Sequence, residues 1–417
     1  MSDPGSEPGS NRISLRLLTA ITACWVLAQM GYYAQAQLLG PIMERYALDE
    51  SVVGLMMSQE VVAYALTALL MAGPVTRLSR SALAVCGGAI VLLSNLLSGF
   101  TESFEVLRVL RIATGFGAGM IGAAGTAAAA SSFNPQKVFA IISVSWGLVA
   151  AGNNVILPYL TVPFGAMGGY FGMATAVVLL GPLLLWLPPP PQDTKHHTLS
   201  DAALKQLSWP QRLAEKLGIR DAPNKAYALI AMAALFIYEI GQGSTQVFLE
   251  QFGLRAGLDE YRTGEILGIA GFLGLLGGVI AAWVSDRFGN LRPALLGIAT
   301  NAITAATMAL GTSAIAFAAL YLSWNICFYF VVPYILGIMS EMDTKGRWAV
   351  ATDAIWWFGA APGAAVGGYL VTNTGYTGVA LLPIVVGTIS IVLFKVTLSR
   401  FYAHQNVQPV GAQQAEA

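Results

Sequence analysis

The chain has 417 residues, 56% of them hydrophobic and only 11% charged, and its 22 basic and 22 acidic side chains leave no formal net charge. Soluble domains carry about 25% charged residues, so much of this surface is built not to meet water, and the mean hydropathy of +0.64 agrees. The balanced charge, with no sustained basic cluster, excludes nucleic acid as a partner, and the scattered Cys24, Cys86 and Cys327 supply neither a disulfide framework nor a metal-ligand spacing.

Apolar stretches of about 20 residues, enough to cross a hydrocarbon core of roughly 30 Å, recur along the chain. The first predicted helix, 15–39, carries Gln29, Tyr32, Tyr33 and Gln35. It also holds Ala34-Gln35-Ala36, the small-residue pattern of a leader cleavage site, so a span and a discarded leader are both open at this point. The second, 52–73, has a carboxyl, Glu60, near its middle. The third, 82–100, has no interior charge, whereas the fourth, 104–130, carries Arg108 and Arg111 ahead of Gly115, Gly117 and Gly119. The fifth, 137–161, contains Gly147 and Gly152-Asn153-Asn154; the sixth, 168–187, is uncharged.

The segment 188–225 opens with four prolines and continues with Ser200, Leu204, Leu207, Leu213 and Leu217 among charges, the spacing of an amphipathic helix lying at a membrane surface. Six more helices follow. The seventh, 226–249, bears Glu239, Gln242 and Gln246, and the eighth, 262–284, runs into a charged turn. The ninth, 292–310, has no interior charge; the tenth, 314–339, offers Asn325 and Tyr329. The eleventh, 347–371, holds Asp353, Trp356 and Trp357, and the twelfth, 377–396, is uncharged across its interior. The organisation expected is a tail (1–13), a six-helix bundle (14–187), the linker (188–225), a second six-helix bundle (226–397) and a tail (398–417).

With both termini in the cytoplasm, seventeen of the 22 basic residues fall inside, three (Arg45, Arg255, Arg262) fall outside, and Arg108 and Arg111 lie within the fourth helix. Such a split is the positive-inside pattern of an even number of spans. Sliding the chain against itself by 210 residues then aligns the halves. Leu48-Asp49-Glu50-x-x-x-Gly54 meets Leu258-Asp259-Glu260-x-x-x-Gly264, Gly31 meets Gly241, Trp146 meets Trp356, and Gly165 meets Gly375. Six spans per half make the repeat parallel, and the pairing of the first helix with the seventh argues for a retained span rather than a leader.

Between the eighth and ninth helices stands Ala282-Trp-Val-Ser-Asp286-Arg287-Phe-Gly289-Asn-Leu-Arg292, and helix four carries Arg111-x-x-x-Gly115-x-Gly117-x-Gly119. Helix eleven has Gly359-x-x-Pro362-Gly363. In these motifs and in its repeat the chain resembles the major facilitator superfamily. The first-half counterpart of the loop motif keeps Arg77 and Arg80 but lacks the Asp and the turn Gly, and helix five lacks the Gly-Pro pair of the family's antiporter motif.

The resemblance implies an all-α membrane protein of twelve transmembrane helices in two parallel six-helix repeats, with substrate between the halves near the midplane. It implies that helices one, four, seven and ten line the cavity, so Gln29, Tyr32, Tyr33, Arg111, Glu239, Gln242, Gln246, Asn325, Tyr329 and Trp356 are the candidate substrate residues. A charge inside a span costs about 2.5–3.5 kcal/mol on insertion scales and normally faces a cavity or a partner. Glu60, Glu239 and Arg111 are therefore the candidates for proton coupling, and Asp286, Arg287 and Asp353 for gating. Each has a plainer alternative: a buried hydrogen bond for Glu60, an arginine partner for Glu239, helix packing for Arg111 and Trp356. Arg108 is expected to pair with Glu105 three residues before it.

The function expected is proton-coupled secondary transport of a small organic solute, an organic anion or aromatic metabolite, across a bacterial inner membrane by a monomer. Efflux of amphipathic compounds by proton antiport, and a sensor or assembly factor that no longer transports, are the alternatives. No nucleophile–base set, metal cluster or phosphate loop stands in the sequence, and His196, His197 and His404 fall in predicted loops, so neither an enzyme nor a cofactor is expected.

Overall fold

The computed structural model describes residues 14–71, 74–132, 138, 147–148, 150–190, 208, 211–212, 223–342 and 347–407, without the side chains of 76, 285–288, 347, 349–350, 353 and 405–407. Its helices are α1 (Leu15–Tyr46), α2 (Glu50–Met71), α3 (Arg80–Phe100), α4 (Phe104–Ala130), α5 (Pro158–Leu180), α6 (Lys225–Val247), α7 (Leu249–Arg255), α8 (Glu260–Gly274), α9 (Leu276–Phe288), α10 (Leu291–Ala309), α11 (Ala314–Met342), α12 (Arg347–Thr374) and α13 (Tyr376–Val407). Among the described residues, ten helices are long and apolar enough to span a bilayer. The ninth expected span is present as α10, whose Thr300, Asn301, Thr304 and Thr307 make it less apolar; it packs between α11 and α13. Much of the first half of the fifth expected span, 137, 139–146 and 149, lies outside the described residues, as does nearly all of the expected amphipathic linker helix. The fold is the twelve-helix arrangement of two parallel six-helix repeats.

Leu93, Leu97, Val109, Ile303, Leu381 and Val385 point outward. In water such a band would be an aggregation surface; against lipid it is the required solvent match, with the backbone polar groups satisfied inside each helix. The chain ends share one end of the bundle, where Arg16 lies 6.0 Å from the Trp186 ring and Tyr227 packs on Phe401. That contact carries α13 on to Val407, so the tail expected from 398 starts as helix and His404 falls in its last turn.

The 210-residue offset recurs in the backbone. Helices begin at 15 and 225, 50 and 260, 104 and 314, and, with one residue more between them, at 80 and 291. Gly165 (φ 60°) and Gly375 (φ 66°) mark the turn between the fifth and sixth spans of each half, and Ala47 (φ 50°) and Gly257 (φ 86°) the turn after the first. An L side chain in that left-handed region costs roughly 1–2 kcal/mol, so Ala47 is a strained copy of a position that its twin fills with glycine. Asp49 and Asp259 then cap the next helices, accepting from Val52 N–H at 3.0 Å and Arg262 N–H at 2.7 Å.

The halves close on each other at the end away from the termini through two equivalent seams. A Cβ on Gly54 would stand 2.4 Å from the Ala364 carbonyl oxygen of α12, and one on Gly264 would stand 2.4 Å from the Asn154 carbonyl oxygen. A Cβ on Gly368 would stand 2.2 Å from the Glu50 carbonyl oxygen, and Pro158, its twin, packs on Gly264. The Gly54–Ala364 and Gly264–Asn154 contacts are one another shifted by 210. Only glycine lets these helices approach so closely, and Ser58 Oγ adds a hydrogen bond from Ala365 N–H at 2.8 Å.

Gly54→Val and Gly264→Val are each expected to wedge this end open. A cysteine at Tyr32, with the three native cysteines replaced by serine, should then react severalfold faster with an impermeant maleimide added on the side away from the termini. An unchanged labelling rate would show that these seams are not the barrier.

Candidate functional site

In the first half the glycines of α4 set the site. Gly115 and Gly119 take the carbonyls of Glu60 and Tyr64 on α2, where added Cβ atoms would meet them at 2.1 and 2.6 Å, and Gly117 takes the Gly87 carbonyl of α3. Close packing of this kind draws Arg111 into the interior, where its side chain is 2% exposed and its Nη1 lies 3.8 Å from Glu60 Oε1. Arg111 Nη2 donates to Asn95 Oδ1 at 3.0 Å and Ser98 Oγ at 2.9 Å, while the Tyr170 ring covers the guanidinium at 4.5 Å. Ser98 Oγ–H donates to the Ser94 carbonyl at 2.7 Å, so its lone pairs are held toward Arg111. Opposite, Gly31 of α1 leaves room for the Glu60 carboxyl, which would sit 2.9 Å from a Cβ there.

Beside this pair lies a cavity of about 20 Å³ lined by Gln29, Glu60, Tyr64, Asn95, Thr114 and, from the second half, Trp357. That is room for about one water, ringed with polar partners. Gln29 Nε2 donates to Tyr64 Oη at 3.3 Å and its buried Oε1 has no partner. Tyr32 and Tyr64 hold the Trp357 ring edge-on, at 5.3 and 5.0 Å between centroids, and Tyr33 packs on Tyr32 at 5.4 Å. This aromatic cluster joins the halves at mid-depth, and Tyr329 of α11 lies within electrostatic reach of Tyr33.

Glu239 of α6 is 2% exposed and packs against Gly359 of α12, where a Cβ would stand 2.6 Å from its own. Trp356 Nε1 lies within interaction reach of the Glu239 carboxyl without reaching hydrogen-bond geometry, which leaves Glu239 Oε1 without a geometric partner, and no ion pair reaches Glu239 among the described residues. Tyr32 lies within electrostatic reach of its carboxyl across the interface.

Of the expected cavity residues, the structure therefore gathers Gln29, Tyr32, Tyr33, Glu239 and Trp356 near the interface between the halves. It sends others elsewhere. Gln242 donates to Asn301 of α10, which donates in turn to the Trp324 carbonyl at 3.0 Å. Asn325 bonds the Tyr321 carbonyl of its own helix at 3.0 Å, where Gly274 packs on it. Gln246 is buried toward the far end of α6. Arg111 is enclosed in the first half, away from the interface, because Asn95 and Ser98 of α3 offer it acceptors there. The expectation that helices one, four, seven and ten line the cavity leaves out Asn95 and Ser98 of the third span and Asn301 of the ninth, for which a polar side chain in an otherwise apolar span is the available signal. Arg108 does meet Glu105, at 3.8 Å, and donates to Gln59 at 2.7 Å. The side chains of Asp286, Arg287, Arg347 and Asp353 lie outside the described residues, so the gating assignments rest on the sequence.

The profile of the Major Facilitator Superfamily matches residues 21–352. The chain belongs to this superfamily. Among solved structures, this facilitator is similar to a variant of the nucleoside transporter NupG (TM-score 0.71, 16% identity, 93% of this chain and 100% of that one). It is also similar to a bacterial homologue of the human lysosomal transporter Spinster in an inward-facing, unoccupied conformation (0.69, 14%, 93% and 98%). A third is a POT family transporter in complex with 5-aminolevulinic acid (0.66, 12%, 92% and 95%). At these identities the likeness shows the fold. A search of curated proteins returns no match.

Removing one member of a buried pair leaves a charge without compensation and costs about 3–5 kcal/mol. Arg111→Ala is expected to lower the stability of the facilitator by about that much. Glu60→Gln should cost clearly less, because Asn95 and Ser98 still accept from the guanidinium. Thermal unfolding in detergent tests the ranking; equal losses would mean that the ion pair, not the α3 contacts, anchors Arg111.

Proposed function

We propose that this facilitator is a proton-linked secondary transporter of a small aromatic solute, working by alternating access as a monomer in a bacterial inner membrane with both termini cytoplasmic. The observation that carries the reading is Glu239: a buried carboxyl at the interface between the halves, beside Trp356 and near Tyr32, with an oxygen outside hydrogen-bond geometry and no cation against it among the described residues. A charge without a partner is costly in an apolar interior, so the halves rock most readily with this carboxyl neutral and exchange its proton at either side. The solute stacks among Tyr32, Tyr33, Tyr64, Trp356 and Trp357, and Gln29 offers its free carbonyl oxygen as an acceptor.

An organic anion loses its main support, since the charge of Arg111 is already met by Glu60, Asn95 and Ser98. The Glu60–Arg111 pair, beside a one-water cavity that reaches Gln29 and Trp357, is the second proton-handling element of this scheme. A second reading follows from the same carboxylate: an unpaired negative charge among aromatic rings also suits an amphipathic cation exported in exchange for protons.

Proteoliposomes with an imposed pH gradient separate these outcomes across a panel of nucleosides, aromatic amines, organic acids and cationic dyes. An aromatic solute should accumulate only with the gradient, and Glu239→Gln should abolish that accumulation while leaving solute exchange without a gradient. Gradient-driven uptake by Glu239→Gln equal to that of the native protein overturns the coupling; dye extrusion instead of uptake selects the antiport reading.

A further inference from the structure

Beyond the glycine seams, at the end away from the termini, the structure opens a second cavity of about 750 Å³. Its walls come from the end of α1 (Glu44, Arg45), the turn around Gly165 in α5, and α7 with the start of α8 (Glu250, Glu260). A pocket of this size accommodates a small organic molecule. Phe164, Val162 and Leu254 give it apolar surface.

Its polar groups are unbalanced. Three carboxylates face one cation, and Arg45 is held aside: its Nη2 donates to the carbonyls of Gly99 at 3.1 Å and Thr101 at 2.8 Å, with the guanidinium against the Tyr46 ring. Arg255, on the same helix as Glu250, is turned away onto the Tyr376 ring at 3.9 Å and the Ala309 carbonyl at 2.8 Å. Glu250 itself is only 5% exposed, and its Oε2 is buried without a hydrogen-bond partner. In the repeat its twin is Gly40, so the carboxyl belongs to one half alone and is not needed by the shared scaffold.

We infer that this vestibule is a binding site for an amphipathic primary ammonium ion, separate from the interface between the halves, with Glu250 receiving the ammonium group and Phe164, Val162 and Leu254 the apolar body. An ammonium supplies the donors that Glu250 Oε2 lacks, and Glu44 and Glu260 add attraction at the mouth. Burial, reinforced by the charge of Glu260, pushes the Glu250 carboxyl up to about 8. The group is ionised and attracts a cation above that pH, and turns neutral below it. The other charged groups around it are Glu44, Arg45 and Glu260 in the walls and Arg255 on its own helix.

The test uses the full chain in nanodiscs of neutral lipid, with phenethylammonium as the probe and phenethyl alcohol as its uncharged counterpart, followed by calorimetry. Phenethylammonium should bind at about pH 9 and weaken about tenfold or more by about pH 6.5, as Glu250 takes up its proton while an alkylammonium near 10 keeps its own. The alcohol should show no such pH dependence. Glu250→Gln should weaken binding at high pH to the low-pH level. Binding that is equal for the amine and the alcohol, that does not vary with pH, or that is kept at full strength in Glu250→Gln would overturn the site. The comparison of amine with alcohol on the native protein decides the matter even if Glu250→Gln does not fold.

Discussion

Glycine pressed onto a carbonyl oxygen is the contact on which the arrangement of this protein depends. Lipid offers helices no hydrophobic reason to associate, so packing and close approach must do it. Gly54 meets Ala364 at one seam and Gly264 meets Asn154 at the other, and a shift of 210 residues converts each contact into its partner. The aspartate caps at 49 and 259 set where α2 and α8 begin, and so which residue of each helix comes to the seam. With both seams shut, the end away from the termini is closed at mid-depth, and the aromatic cluster around Trp357 forms the floor beneath.

The same device works within the first half to a different end. Gly115, Gly117 and Gly119 bring α4 against α2 and α3, and the consequence is electrostatic: Arg111 arrives beside Glu60 and under Tyr170. A methyl group on Gly115 would separate the helices and lengthen the ion pair already at 3.8 Å. Read as physics, the Arg-x-x-x-Gly spacing is one turn of helix that puts the charge and the close-approach point on one face. Its second-half equivalent holds Tyr321 where the first holds Arg111, so the shared scaffold is retained and the buried charge is not.

Much of the fold was legible because a repeat constrains itself. The polar turns and the constant offset predicted where helices start in both halves, and the backbone follows them at 15 and 225, 50 and 260, and 104 and 314. Less of the site was legible. Membership of a cavity-lining helix does not say which way a side chain turns, and a buried amide turns toward whichever partner its packing brings near. Gln242 finds Asn301 and Arg111 finds Asn95 and Ser98, and these partners lie on spans that carry no interior charge and stand outside the four helices expected to line the cavity. Glu239 was readable for the opposite reason: the sequence places no basic residue within a turn of it, and the fold supplies none among the described residues. Glu250 escaped notice because it follows the predicted end of a span and looks like a loop charge; only the short α7, folded back against α1 and α8, buries it.

The two unsatisfied carboxyls stand on opposite sides of the closed seams, and that separation bears on how the molecule works. Glu239 lies below the contacts of Gly54 and Gly264, against Gly359 and Trp356; Glu250 lies above them, in α7 beyond the end of the span that carries Glu239. Opening the seams would swing α2 away from α12 and release the two regions into one path, while α6 and α7, joined at Phe248, would carry both carboxyls with the second half. Their distance would then change little, but the walls facing them would, since Gly40, Arg45 and the turn at Gly165 belong to the first half. A cation resting on Glu250 is thus held by one half and roofed by the other. Such a ligand stabilises whichever arrangement keeps the roof in place, because it can bias the equilibrium only through its different contacts in the two states.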